Sequence, residues 1–438
     1  VQGRNIARLA AGVALGAALL AASQPAIGAE SEAPGDWYFT ASGMQESLDA
    51  GNDGAGVQVA VIDGQINPDV PTLQGADLTI APSICYDEAG NPIPPTTDEM
   101  EGAHGTNSVS LIAGAGAGYP GQVGVRGAAP RAQVTYYSVG PDSELLDPLC
   151  FDRPGSQRPG SQRGVPERFE QALDDGADIV SIQIESSDTI DPLLVARAMR
   201  EGVIVLQSLS NEPFDDWGTG GLASMNGVVG VQAIDAYGDP QNGAGSTDPG
   251  VDVAAPGVGM TAQGGPGAES WETQTIQSGT SNAVPFTAGV LAAVWSKYPE
   301  ATGNQMIQSL IRNTGVEDHE LARDDSLGYG IVSLRHMLRV DPTQYDDVNP
   351  LIVDDRELQG AGGVETVYQP TYLEIFPEAA TPEPTEPPAS GDPFEALLPV
   401  FVIGGAVGAL VLVGAIVLVV VLTTRNKQRQ GERNHGKA

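Results

Sequence analysis

Seven residues, Gly279-Thr280-Ser281-Asn282-Ala283-Val284-Pro285, lead straight into the apolar run Phe286 to Trp295. This junction constrains the fold more than any other part of the chain. Small and turn-forming residues open a helix that is apolar on nearly every side, and such a helix has to lie inside the molecule. Its first turn carries Ser281, where unpaired backbone N–H groups and the helix dipole favour negative charge. A nucleophilic serine there gains stabilisation for an alkoxide or a tetrahedral oxyanion. The same residues also read as an ordinary N-cap, since Ser and Thr cap helices for purely local reasons.

The buried helix needs a sheet to pack on. Val57 to Ile62 reads as a buried parallel strand ending at Asp63-Gly64, after a lead-in from Asp36 to Gly56 of helix-like and turn residues. Further strands are expected at Gln133 to Val139, Asp178 to Ile184, Val203 to Leu206 and Val228 to Ala233. Helices are expected at His104 to Ala113, Glu167 to Leu173 and Leu193 to Met199. This alternation predicts an α/β fold of three layers, with a mostly parallel central sheet covered on both faces. Pro154-Gly155-Ser156-Gln157-Arg158 is repeated at once as Pro159-Gly160-Ser161-Gln162-Arg163, which marks a surface loop tolerant of insertion.

A nucleophilic serine needs a base and a carboxylate to orient that base. Of the four histidines, His435 lies in a basic tail, His319 in an acidic stretch and His336 on a late helix. His104, followed by Gly105-Thr106 and a helix, has the turn that lets its ring face a cleft; taken alone it is an exposed loop residue. Asp63 ends the first strand, and functional residues of open α/β sheets gather outside the carboxyl ends of the strands. An Asp there can hold the His Nδ1–H and stabilise the imidazolium. Asn211, beyond the strand Val203 to Leu206, can give an amide donor to the oxyanion, or is a turn residue beside Glu212-Pro213. No cluster of ligand residues at metal spacing occurs, so neither a metal nor another cofactor is predicted.

The charge balance, 56 Asp+Glu against 21 Lys+Arg for a net of −35 over 438 residues, argues against a nucleic-acid partner. Arg4 and Arg8, an apolar run from Leu9 to Ala22 and the small residues to Ala29 read as a secretory signal peptide. A second apolar run, Leu397 to Leu422, is long enough to span a bilayer. Arg425, Lys427, Arg429, Arg433 and Lys437 follow it, so the tail is expected in the cytoplasm and everything before the span outside. Cys85 and Cys150, the two cysteines, then lie in the exported part. One disulfide is the natural reading there, with free thiols or a two-ligand metal site as weaker alternatives. The acidic, Pro-rich region from 341 to 396 is expected as an extended stalk. The organisation expected is a signal peptide at 1–29, a short extension at 30–56, a catalytic domain at 57–340, the stalk at 341–396, a transmembrane helix at 397–422 and a cytoplasmic tail at 423–438.

The order Asp, His, Asn, Ser resembles the subtilisin-like serine proteases, the subtilases, from about Val57 to about Arg339. The matching signatures are Val61-Ile62-Asp63, His104-Gly105-Thr106, Gly127-Ala128-Ala129-Pro130, Asn211, Val253-Ala254-Ala255-Pro256-Gly257 and Gly279-Thr280-Ser281 with Pro285. The resemblance implies a catalytic triad of Asp63, His104 and Ser281, with Asn211 in the oxyanion hole. Signal peptide, protease domain, stalk, single span and basic tail together resemble the mycosins, membrane-anchored subtilases associated with type VII secretion. The short stretch before Val57 and Asp324 to Val332, with Leu327-Gly328-Tyr329-Gly330, fit that group.

That resemblance implies a serine endopeptidase acting on protein or peptide outside the cytoplasmic membrane, with a type VII secretion complex as partner. The competing expectation is a structural subunit of such a complex whose protease site is weak or dispensable. Three departures from the family pattern bear on that choice. Gly64-Gln65 stand where Thr or Ser, then Gly, usually follow the aspartate. Gln183-Ile184-Glu185 replace Ser-Leu-Gly on the strand that pairs with substrate, and Ser208-Leu209-Ser210 replace the small residues before the asparagine.

Overall fold

A computed structural model describes residues 35–141, 164–184, 190–212, 221–243, 245–358 and 369–380. Eleven strands occur among them: β1 Gln58–Asp63, β2 Asp77–Ile80, β3 Ala115–Ala117, β4 Val123–Arg126, β5 Gln133–Ser138, β6 Ile179–Ile182, β7 Ile204–Ser208, β8 Val229–Ile234, β9 Val253–Pro256, β10 Met260–Gln263 and β11 Gln274–Gln277. Seven form one sheet in the order β2-β5-β1-β6-β7-β8-β9, and every pair in it is parallel. The small pairs β3-β4 and β10-β11 are antiparallel. The helices are α1 Trp37–Ser42, α2 Met44–Asp49, α3 Ala103–Ala113, α4 Val165–Asp174, α5 Pro192–Glu201, α6 Thr280–Lys297, α7 Gly303–Arg312, α8 Leu334–Arg339, α9 Asp355–Leu358 and α10 Tyr372–Ile375.

Parallel strands buried on both faces carry apolar side chains in both directions, and β1 shows this. Val59 and Val61 pack with Val109 and Ile112 of α3 and Phe286 and Val290 of α6. Ala60 and Ile62 belong to a second core with Phe169 of α4 and Val195 and Met199 of α5. Three layers result, as the alternation of elements predicts. From Ala283 to Val294 every residue of α6 is buried. The helix approaches α3 closely because Gly289 has no side chain: a Cβ there would lie 3.3 Å from the Ile112 Cα and from the Leu111 carbonyl.

Several boundaries move from their sequence expectations. β6 stops at Ile182, and β7 runs on to Ser208 through two buried polar residues. Pairing of Gln207 and Ser208 with Gly230 and Val231 of β8 holds that backbone in the sheet. The Gln207 amide meanwhile donates to the Ile184 carbonyl at 3.2 Å. The lead-in before Val57 is part of the core: Tyr38 and Met44 have no exposed surface, Asp36 pairs with Arg126, and the Arg126 guanidinium lies 3.5 Å over the Phe39 ring.

The stalk expected to begin at 341 does not begin there. The chain divides between Phe376 and Pro377. Before that point the Asn226 amide donates to the Val353 and Pro370 carbonyls at 3.0 and 3.1 Å, Gln308 donates to the Val348 carbonyl at 3.1 Å, and Ile375 is fully buried. A segment without hydrophobic periodicity can still pack when side-chain amides of the domain satisfy its backbone.

No helix among the described residues is long and apolar enough to cross a membrane. The expected signal peptide (1–29), the span 397–422, the tail with His435, and Cys150 lie outside the described residues, so the disulfide with buried Cys85 stays an expectation.

Candidate active site

Asp63 is the last residue of β1 and has no exposed surface. Its Oδ1 accepts the Gly64 N–H at 2.6 Å and lies 2.7 Å from His104 Nδ1. Its Oδ2 accepts the Ser108 hydroxyl at 2.8 Å. Burying an ionised carboxylate is costly unless its lone pairs are met, and here both oxygens have donors. A carboxylate oxygen 2.7 Å from Nδ1 is met by the His104 tautomer that carries its proton there, and in that tautomer Nε2 has the lone pair. The His104 side chain is 33% exposed, so the ring reaches from the buried carboxylate to the surface.

His104 stands in the first turn of α3, and its neighbours fix that turn. Thr106 Oγ1 donates to the Gly102 carbonyl at 2.5 Å and accepts the Asn67 N–H at 2.9 Å. Asn107 exchanges two hydrogen bonds with the Gln263 backbone on β10, at 3.0 and 2.8 Å. Gly105 is required by close approach: a Cβ there would collide with the Tyr136 hydroxyl and the Gln65 carbonyl.

Ser281 is the second residue of α6. The N-cap is Gly279, which has no side chain, and Ser281 lies inside the helix, so the serine is not there as a cap. The start of the helix is tied to the ends of three strands. The Thr280 hydroxyl donates to the Leu209 carbonyl at 2.6 Å, just beyond β7. The Gly279 N–H and the Asn282 amide donate to the Gly257 carbonyl at 3.0 and 3.1 Å, and the Gly257 N–H donates to Ile234 at the end of β8. Ser281 is half-buried, at the end of the helix where the dipole is positive.

Asn211 is exposed, three residues past β7. Its amide oxygen accepts the Thr280 N–H at 2.9 Å and the Gln241 amide at 3.2 Å. With its oxygen taken by these two donors, the NH₂ is the end of the amide left to donate elsewhere. One strand, β6, separates β1 from β7, a spacing of about 10 Å between strands two apart. Asp63, His104, Asn211 and Ser281 therefore gather along the carboxyl edge of the sheet.

Sequence reasoning did not single out Ser108, Thr280 as an anchor, or Gln241. Of these, Ser108 had a legible signal: it lies four residues after His104 and so on the same helix face. Of the departures from the family pattern, Gln65 is buried and donates to the Pro94 carbonyl at 2.7 Å, and Gln183 is buried 2.6 Å from the Ser181 hydroxyl. Glu185 lies outside the described residues. His336 and His319 belong to a separate cluster: His336 Nε2 is 3.0 Å from Asp318, and His319 Nε2 is 2.8 Å from the Thr314 hydroxyl. Among the described residues no group of three or more His, Cys, Asp or Glu is placed to hold a metal ion.

A model of the subtilase family matches residues 54–330. The thermostable alkaline protease of Halalkalibacterium halodurans is 30% identical over 280 residues, which is 63% of this chain and 66% of that protein. Fervidolysin of Fervidobacterium pennivorans is 28% identical over 355 residues, 76% of this chain and 48% of that one. The matches thus span about two thirds and about half of these relatives' lengths. The crystal structure of fervidolysin superposes with a TM-score of 0.52 at 26% identity, over 73% of this chain and 46% of that one. MycP1 from Mycobacterium smegmatis also aligns, at a TM-score of 0.49 and 22% identity over 74% of this chain and 89% of that one, a likeness too distant to bear on activity or partners. With the family's model matching more than half of its length, and a parallel sheet of the subtilisin-like kind, the chain belongs to the subtilase family.

Proposed function

We propose that this chain is a membrane-tethered serine endopeptidase that hydrolyses peptide bonds outside the cytoplasmic membrane. The observation that carries the reading is the buried Asp63 carboxylate 2.7 Å from His104 Nδ1, on the same sheet edge as a serine in the first turn of a buried helix. In this reading Ser281 Oγ attacks the scissile carbonyl carbon while His104 Nε2 takes its proton. Asp63 holds the ring by Nδ1–H and stabilises the imidazolium, which then protonates the leaving amine. Water attacks the acyl-enzyme with the same histidine as base. The Asn211 NH₂ and the Ser281 backbone N–H donate to the oxyanion formed at each step.

The finer parts of the reading rest on the sequence. The apolar run 397–422 with its basic tail supports a single-pass anchor. The order of segments, resembling that of mycosins, supports association with a type VII secretion membrane complex.

The test is active-site labelling of the full chain with a fluorophosphonate. The wild type should label at one serine, Ser281→Ala should not label, and His104→Ala should label far more slowly. A folded wild-type protein that does not label would leave the structural-subunit reading in its place.

A further inference from the structure

We infer that Ser108 is a positioning residue of this site, supplying the hydroxyl that fixes the second carboxylate oxygen of Asp63, Oδ2. The inference rests on the reading of Asp63, His104 and Ser281 given above. Ser108 lies one helical turn after His104 on α3 and is buried. Its Oγ is 2.8 Å from Asp63 Oδ2 and 3.0 Å from the His104 carbonyl. One hydroxyl hydrogen cannot fully serve both. The carboxylate is nearer and charged, and charge-assisted hydrogen bonds are about twice as strong as neutral ones, so the hydrogen goes to Asp63.

The other donors to this carboxylate, the Gly64 N–H and His104 Nδ1–H, both converge on Oδ1. Among the described residues Ser108 is the donor to Oδ2. A carboxylate pinned at one oxygen can still pivot about its Cβ–Cγ bond. A donor on the second oxygen stops that rotation and keeps Oδ1 in line with the ring. Gly64 offers no hydroxyl from the loop after the strand, so α3, the element that carries His104, supplies it. Base, orienting carboxylate and brace are thereby set by one helix and one strand end. Among the described residues the titratable groups nearest the carboxylate are His104, on Oδ1, and Tyr136, whose hydroxyl lies 2.9 Å from the Gly64 carbonyl and 3.3 Å from the Gln65 carbonyl.

Removing the hydroxyl has two effects that a packing role would not have. The ring loses its fixed orientation, so chemistry slows with little change in reagent binding. The carboxylate also loses a group that draws off its charge and holds the imidazolium more strongly, so the acidic limb of the pH profile moves to higher pH.

The experiment measures fluorophosphonate inactivation of the full chain against pH for wild type, Ser108→Ala, Ser108→Cys and Ser108→Thr, with thermal unfolding as the folding control. The expected result for Ser108→Ala is a maximal inactivation rate about 3- to 30-fold lower, an unchanged half-saturating concentration and the shifted acidic limb. Ser108→Thr, which keeps the hydroxyl, should restore rate and limb. Ser108→Cys has nearly the size of serine but a weak donor, and stands in where alanine fails to fold. The proposal is overturned if folded Ser108→Ala or Ser108→Cys reacts with the wild-type rate and pH profile, or if folded Ser108→Thr is as slow as Ser108→Ala. Failure of the functional reading looks different: wild type and Ser281→Ala would then be equally unreactive.

Discussion

Thr280 donates its N–H to the Asn211 amide oxygen, and Gln241 adds a second donor to the same atom. An amide so held presents its NH₂ in one direction, which is what an oxyanion donor needs, since reorientation during the reaction would cost part of the gain. Asn211→Ala removes the donor from an exposed position and should leave folding unchanged. The expected loss in turnover is about 10² to 10³, a magnitude carried over from subtilisin, a relative in the same family. Peptide hydrolysis by the full chain measures it, and unchanged turnover in the folded variant would remove Asn211 from the site. At this scale the sequence was informative where chemistry narrows the choice. With four histidines, elimination reaches His104, and the end of the first strand reaches Asp63. Ser108 stayed hidden because a serine inside a buried helix reads as packing until the turn of that helix is set against the carboxylate.

Elements were legible where burial imposes a strong pattern and obscure where it does not. β1 and α6 are apolar in almost every direction, which few other arrangements tolerate. β2 is an edge strand of four residues, none of them buried, so no run of apolar residues announces it. β9 is short and ends at Pro256, and its sequence is recognisable as a family signature more than as a strand. Its outer edge is covered by the chain near 330: the Tyr329 N–H donates to the Asp252 carbonyl at 2.7 Å, and the Val332 N–H to the Ala254 carbonyl at 2.8 Å. Asp252, just before the strand, accepts the Gly230 N–H at 2.9 Å, and burial pushes its carboxyl up to about 7 against the pull of that N–H and of Arg323. A carboxyl raised in the folded state from its ordinary 3.8 makes stability fall as pH rises between those two values and level off above the upper one. Asp252→Asn keeps an acceptor for Gly230 and has no charge to bury. Its melting temperature should lie near that of the wild type at pH 4 and exceed it at pH 8 by roughly 5 °C. Thermal unfolding at the two pH values decides the point; an equal difference at both would show that the carboxyl is not held protonated by the fold.

For the molecule as a whole, the sequence separated the catalytic domain from its Pro-rich end but placed the boundary earlier than the structure does. The reason is physical. Among the described residues between Asp341 and Phe376 regular structure is limited to short helical turns, so periodicity is silent, yet the backbone there is held by amides that belong to the domain. Asn226 contributes both amide atoms to this, its oxygen accepting the Val353 N–H at 2.7 Å. The Asn349 amide donates to the Gly227 carbonyl at 3.0 Å, and the Arg200 guanidinium donates to the Glu374 carbonyl at 2.7 Å. Ile375 closes the core beside α5. Cutting the chain after Val340 would uncover that apolar surface and leave the buried Asn226 without its partners, and an unsatisfied buried amide costs about 1–3 kcal/mol. Cutting after Ala380 keeps all of these contacts. The shorter chain should therefore melt about 5–10 °C lower, or aggregate on purification, while the longer one melts as the full chain does. Calorimetry with size-exclusion chromatography on the two truncations tests this. Equal melting temperatures for both would mean that residues 341–376 lie against the domain without stabilising it, and the functional boundary would return to 340.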